Sequence, residues 1–284
     1  MRPPTLLTLA HRLIRDEKLF SRGDVVLCAC SGGPDSSALM HALALLRKRL
    51  RHELVAVGID HGLRPEARQE LAQCRDLAAE LDVPFQVTRV DVMAGGNLQE
   101  RARIARHTAL QEAAEKCSAS VIALGHTADD RAETVLMRML RGSGPRGLAA
   151  MPPRGDQMGA TLLVRPILRA RRGDVMAHIR RHNVSFAADP SNDDLRYLRV
   201  RVRRQLIPLL EELSPRIVEH LCDLAEMLER ERAADDPLAG LGREQRKALG
   251  KALRARCGTT VRVSGSYDLI VTFAKVVACT RDTI

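Results

Sequence analysis

The chain of 284 residues is 45% hydrophobic with a net charge of +10, and its longest apolar run, Leu269 to Cys279, is broken by Lys275. Far short of the roughly 18 apolar residues that cross a bilayer, this pattern excludes a membrane-spanning helix and describes a soluble protein with one sizeable domain and a smaller one. Arginine makes up 39 of the 45 basic residues, which suits phosphate contacts with a nucleic acid, although a GC-rich coding bias would give the same excess; aromatics at 2% exclude a base-stacking platform.

The first predicted element is a helix over Thr5 to Leu19, whose Arg12, Arg15, Asp16, Glu17 and Lys18 are incompatible with a secretion signal, so a cytoplasmic location is expected. Short β-type runs then alternate with helix-periodic ones. Val25 to Ala29 precedes Asp35 to Arg49, Leu54 to Ile59 precedes Glu66 to Leu81, and Phe85 to Val90 precedes Leu98 to Lys116. Val121 to Leu124 precedes Ala128 to Leu140, and a fifth strand falls at Leu162 to Val164. The alternation predicts right-handed crossovers and a doubly wound α/β fold with a parallel five-stranded sheet, whose ligands bind at the carboxyl ends of the strands.

From Arg171 the pattern becomes mostly helical and arginine-rich, and Glu229 to Asp236 followed by Pro237 has the composition of a linker. These shifts predict a catalytic domain over residues 1–212, a helical linker over 213–236 and a small, shortened C-terminal domain over 237–284. That last part holds a helix over Arg243 to Arg256 and a hairpin across Ser264-Gly265-Ser266. The seven cysteines form no Cys-x-x-Cys pair, so they read as free thiols and not as a disulfide framework or an iron–sulfur or zinc site.

The unusual residues fall at predicted strand ends. After the first strand comes Ser31-Gly32-Gly33-Pro34-Asp35-Ser36-Ser37, a glycine turn running into a helix start, where backbone N–H groups and the helix dipole favour an anion. The Gly-Gly turn alone fits an ordinary N-cap equally well. It is not a Walker A loop, because no Gly-Lys-Ser/Thr occurs, and Gly142 to Gly147 matches G-x-G-x-x-G only in letters, since it follows a helix. After the fourth strand, Gly125 to Thr134 holds His126, Asp129, Asp130 and Glu133, with the three acids able to share one helix face beside the histidine. Dipole capping explains Asp129 but does not require all three.

The Ser-Gly-Gly-x-Asp-Ser string resembles the pyrophosphate loop of the PP-loop ATPases, of the adenine nucleotide α-hydrolase-like fold. Together with Gly125 to Thr134 it resembles a branch of PP-loop enzymes that modify tRNA, and four further strings are similar to the tRNA(Ile)-lysidine synthetase family: Asp60-His61-Gly62-Leu63-Arg64, Arg138 to Met151, Arg165-Pro166-Ile167-Leu168 and Asp189-Pro190-Ser191-Asn192. The resemblance implies a ligase that uses ATP and Mg²⁺ to adenylate the wobble cytidine of a tRNA(Ile) with a CAU anticodon and attaches L-lysine, releasing AMP and pyrophosphate.

It further implies that Ser31, Gly32, Gly33, Pro34, Asp35, Ser36, Ser37, Asp60 and His61 hold the nucleotide, with Asp35 on the metal. Asp130 and Glu133 would take the lysine, and Arg141 and Arg165 would meet phosphate or the lysine carboxylate, while Arg196, Arg199 and Arg203 share one helical face that reads equally as tRNA or nucleotide contact or as a solvated basic face. His126 is a proton-acceptor candidate or a structural histidine. Val200 stands where the family pattern has asparagine in Arg-Asn-x-x-Arg. Rival readings are a thiolase-like PP-loop enzyme, disfavoured by the missing cysteine pairs, and a non-catalytic nucleotide- or RNA-binding module. The sequence leaves the oligomeric state open, a homodimer included.

Overall fold

The computed structural model describes residues 4–60, 67–90, 98–158, 161–187, 194–234, 259–262, 267–271 and 276–280. The chain divides into two compact units, Met1–Glu226 and Met227–Ile284.

The first unit is built on a sheet of six strands in the order β3-β2-β1-β4-β6-β5. These are β1 (Val25–Cys30), β2 (Glu53–Asp60), β3 (Phe85–Arg89), β4 (Val121–Ala123), β5 (Arg154–Met158) and β6 (Thr161–Val164). Strands β1 to β4 and β6 run parallel, as expected, and their helices are α2 (Pro34–Leu50), α3 (Ala67–Glu80), α4 (Leu98–Lys116) and α5 (Ala128–Leu140), the last followed by a single turn, α6 (Pro145–Leu148). The sixth strand corrects the expected count of five. Strand β5 pairs antiparallel with the edge of β6. Arg154-Gly155-Asp156-Gln157-Met158 lacks the apolar alternation of a half-buried strand, so only backbone pairing at a sheet edge reveals it.

Both faces of the sheet are covered. Against one lie α1 (Leu6–Asp16), α2, α3 and α7 (Arg172–His182), through Leu13, Leu39, Met40, Leu43, Leu77 and Ile179. Leu110, Ala113 and Ala114 of α4 cover Leu27, Val57, Ile122 and Leu163 on the other. In α1, Leu6, Ala10, Leu13 and Ile14 are buried on one stripe, and Thr5 caps its start by accepting from the Thr8 N–H at 3.3 Å. A third cluster joins α5 to the helices that follow, α9 (Ile207–Leu213) and α10 (Ile217–Ala234), through Ala132, Val135, Leu136, Val202, Val218 and Leu221. Before α9 come a single turn, α8 (Leu198–Arg201), and a π-helical turn over Val202–Leu206.

Two histidines knit α2 to α7. His41 Nδ1 and His178 Nε2 lie 3.0 Å apart, one neutral ring donating to the other, and the His182 ring stands 4.6–4.9 Å from both. Burial first, then the neighbouring rings, pushes the His41 and His178 imidazoles down to about 4, and burial does the same to His52. A base with a depressed folded-state pKa contributes stability above its unfolded value of 6.5 and loses it as pH falls toward 4. The melting temperature is therefore expected to drop by several degrees from pH 7 to pH 5. His52→Leu should flatten that dependence, and thermal melts across the range check it.

In the second unit, β7 (Thr259–Arg262), β8 (Tyr267–Val271) and β9 (Val276–Thr280) form an antiparallel sheet in sequence order. The predicted hairpin is the β7–β8 pair, and β9 adds a strand that the sequence reading did not assign. The helix expected over 243–256 lies outside the described residues.

Candidate active site

The strand order reverses between β1 and β4, so the crevice at this switch point opens between the loops that follow those two strands. After β1, Gly32 takes φ +84°, and a Cβ there would lie 2.9 Å from Glu70 Cβ, which restricts the position to glycine. Gly33 caps α2 without a side chain and Pro34 opens its first turn, leaving the first N–H groups of the helix for an external acceptor. The serines shape the loop from within. Ser36 Oγ donates to Gly33 O at 3.0 Å and accepts from Ser31 N at 3.2 Å, and Ser37 Oγ donates to Gly32 O at 3.5 Å. Gly32 O also accepts from Ala187 N at 2.8 Å, which ties the chain leading to residues 189–192 onto the loop. That string, like His61, lies outside the described residues.

After β4, Gly125 closes on the same helix start, since a Cβ there would lie 3.0 Å from the Asp35 carbonyl group and 3.1 Å from Ser36 N. Gly125→Ala should push these loops apart and cost about 1–3 kcal/mol of stability by overpacking. Titrating ATP against that variant and the parent should show weakened nucleotide affinity.

Asp35 faces this junction. Burial, then the nearby Asp130 carboxylate, pushes its carboxyl up to about 6, against the pull of Arg172 and Arg203. Such an under-compensated carboxylate fits a divalent cation. Among the described residues no three His, Cys, Asp or Glu side chains are arranged to hold a metal.

The three acids of α5 separate into two roles. Asp129 accepts from the Arg172 N–H at 2.7 Å and Arg171 Nε at 3.2 Å, which anchors the start of α7. Arg171 also reaches Glu211 at 2.7 Å and Glu219 at 3.1 Å. Asp130 closes a capping box with Thr127, then turns its other oxygen to Arg199 at 2.9 Å and Arg172 at 3.4 Å. Glu133, completely buried, accepts from Arg203 Nε at 2.7 Å, Arg199 Nε at 2.8 Å and Arg172 at 3.0 Å. Burial pushes both carboxyls up, but the arginines outweigh it and hold them below the usual carboxylate range; the Thr127 N–H helps at Asp130. The π-helical turn carries Arg203, the kind of local irregularity often found where a helix serves a site.

His126, between β4 and α5, accepts at Nδ1 from Arg165 Nε at 3.3 Å. Burial first, then Arg165 and Arg199, pushes its ring down to about 4 despite Asp130. Arg165 also donates to Pro152 O at 2.7 Å and packs over Gly155, where a Cβ would meet its guanidinium at 2.6 Å. Asp60 ends β2 on the same rim of the sheet. Arg141 is not brought to the acid pair, because it follows the far end of α5, about 12 Å along the axis from Glu133. Arg138 donates to Gly147 O and fastens the glycine loop there. Sequence reasoning missed Arg171 and Arg172, whose only local signal is an arginine pair ahead of Gly173-Asp174 at a helix start.

A glycine turn at the switch point of a doubly wound sheet, faced by a charged cluster on the next strand end, defines a PP-loop nucleotide-binding domain, and the family model described as "PP-loop domain" matches residues 8–210. The fold is shared with a U34-tRNA thiolase from Methanococcus maripaludis, at TM-score 0.68 and 16% identity over 79% of each chain. At the sequence level the chain is 42% identical to a tRNA(Ile)-lysidine synthase from Salinispora tropica over 75% of this chain and 65% of that one. It is 41% identical to one from a Bradyrhizobium species over 84% and 67%, and 39% identical to one from Symbiobacterium thermophilum over 89% and 51%. The chain belongs to the tRNA(Ile)-lysidine synthase family. It spans between about half and two thirds of the length of these relatives.

Proposed function

We propose that the chain is an ATP-dependent ligase acting on a tRNA(Ile) with a CAU anticodon. The C2 carbonyl oxygen of the wobble cytidine attacks the α-phosphorus of ATP and releases pyrophosphate. The ε-ammonium of L-lysine gives up a proton to solvent, and the resulting amine forms a bond to C2 as the C2–O bond breaks, so that AMP leaves with that oxygen. One observation carries this reading: the pyrophosphate-type loop at Ser31 to Ser37 and the Asp130–Glu133 pair stand side by side at the switch point, joined through Gly125.

Within this scheme the N–H groups at the start of α2 bind phosphate oxygens, and Ser36 and Ser37 keep the loop in shape. Asp35 holds Mg²⁺, which, when bound, offsets phosphate charge and draws electrons from the α-phosphorus. Asp130 and Glu133 stay ionised and receive an ammonium. His126 positions Arg165, since its Nδ1 already accepts a hydrogen bond and a neutral ring then carries its proton on Nε2. Arg165 and Arg141 serve phosphate or carboxylate oxygens, and the remaining arginine excess favours an RNA partner in the cytoplasm.

Incubating the chain with Mg²⁺-ATP, labelled lysine and tRNA(Ile) tests this reading. Label should enter the RNA, with AMP and pyrophosphate formed in equal amounts. Production of ADP, or label that never enters RNA, would refute it.

A further inference from the structure

The acid pair is already neutralised from within. Two carboxylates, Asp130 and Glu133, face three guanidiniums, those of Arg172, Arg199 and Arg203, all within ion-pair distance. A substrate ammonium entering beside all three would bring a fourth cation to two anions, so one arginine has to leave. The three are not held equally. The Arg172 backbone N–H is fixed on Asp129 at the head of α7. Arg203 and Arg199 each make two hydrogen bonds to the acid pair, but the Arg203 side chain is only 25% exposed. Arg199 is the most exposed, at 41%, and rides on the four-residue helix α8.

We propose that Arg199 is an exchangeable cation: the substrate ammonium replaces its guanidinium on Asp130 and Glu133, and the freed guanidinium is taken up by an anionic oxygen group, a carboxylate or a phosphate. This rests on the reading of the acid pair as the lysine site. It makes ammonium binding conditional on an accompanying anion, and where that anion is the substrate's own carboxylate, bare polyamines and other carboxylate-free cations are disfavoured. Arg199 thereby acts as a specificity-determining residue.

Calorimetric titration of the whole chain with L-lysine and with cadaverine, which has the same ammonium but no carboxylate, tests the exchange with and without Mg²⁺ and α,β-methylene ATP. Removing the competing cation in Arg199→Gln should tighten cadaverine binding about tenfold, whereas Arg199→Lys, which keeps a cation, should stay near the parent. If the substrate's own carboxylate takes up Arg199, the parent binds lysine tightly without nucleotide and cadaverine weakly; if a phosphate does, both compounds need the analogue. Cadaverine binding that is unchanged or weaker in a folded Arg199→Gln overturns the proposal. Should that variant not fold, equal affinity of the parent for both compounds, with and without the analogue, overturns it instead. Failure of every form to bind lysine, with no label entering RNA, removes the underlying reading of the site.

Discussion

Replacing Asp35 with alanine should slow AMP and pyrophosphate formation by roughly 10²–10³-fold while leaving the melting temperature at pH 7 unchanged or higher. Two terms set this outcome. Under the proposed function this carboxylate would bring a divalent cation to the phosphates, and loss of a charge-stabilising group of this kind lowers turnover on the order of 10²–10³-fold. For stability the sign is opposite, because burial and Asp130 hold the carboxyl near 6 against an ordinary 3.8. The folded state therefore disfavours the ionised form at pH 7, and removing it relieves that strain. The stability advantage of the variant should fade as pH falls through 6 toward 3.8, where the parent's carboxyl protonates. Melts without Mg²⁺ at pH 7 and pH 5, beside a pyrophosphate-release assay, measure both halves. A variant with normal turnover would reduce the loop to a helix cap.

Glu133→Gln should have the second-largest effect, on two observables at once. The native carboxylate accepts from Arg172, Arg199 and Arg203, and an amide keeps the shape but presents an N–H₂ to guanidiniums that only donate. Breaking a buried ion pair costs about 3–5 kcal/mol; the partial exposure of the arginines puts this variant near the lower end, a fall of several degrees in melting temperature. Lysine affinity should also drop roughly tenfold to a hundredfold, from the loss of a charge-assisted hydrogen bond worth about 1.5–3 kcal/mol. ATP affinity should change little. If Glu133 instead held the metal, nucleotide affinity would fall and extra Mg²⁺ would restore it. Separate titrations with lysine and with Mg²⁺-ATP distinguish these roles, and an unchanged lysine requirement removes the acid pair from substrate binding.

The β/α alternation from Val25 to Val164 was legible because the central strands β1, β4 and β6, largely buried on both faces, read as short apolar runs, and because helices α2 to α5 are long enough for their period to show. The glycine turn was legible for a similar reason: Gly32 is required by its own φ and by the approach of Glu70. Local chemistry thus determined the parallel core of the sheet, its switch point and the loop that follows β1. Strand β5 was decided by its neighbour, since only β6 supplies partners to a segment with no apolar pattern of its own.

The charged cluster shows the same division. Asp129, Asp130 and Glu133 are spaced for one helix face, and nothing in that spacing says that Asp129 anchors another helix while the other two gather three arginines. Those arginines come from α7 and from the turns around Val202, between 39 and 70 residues beyond Glu133 along the chain. A residue's own neighbours along the chain fix its backbone conformation and periodicity. Which charges meet across such distances is set by the packing of α7 and α8–α9 against α5, so the sequence identified the carboxylates and only the tertiary structure decided what neutralises them.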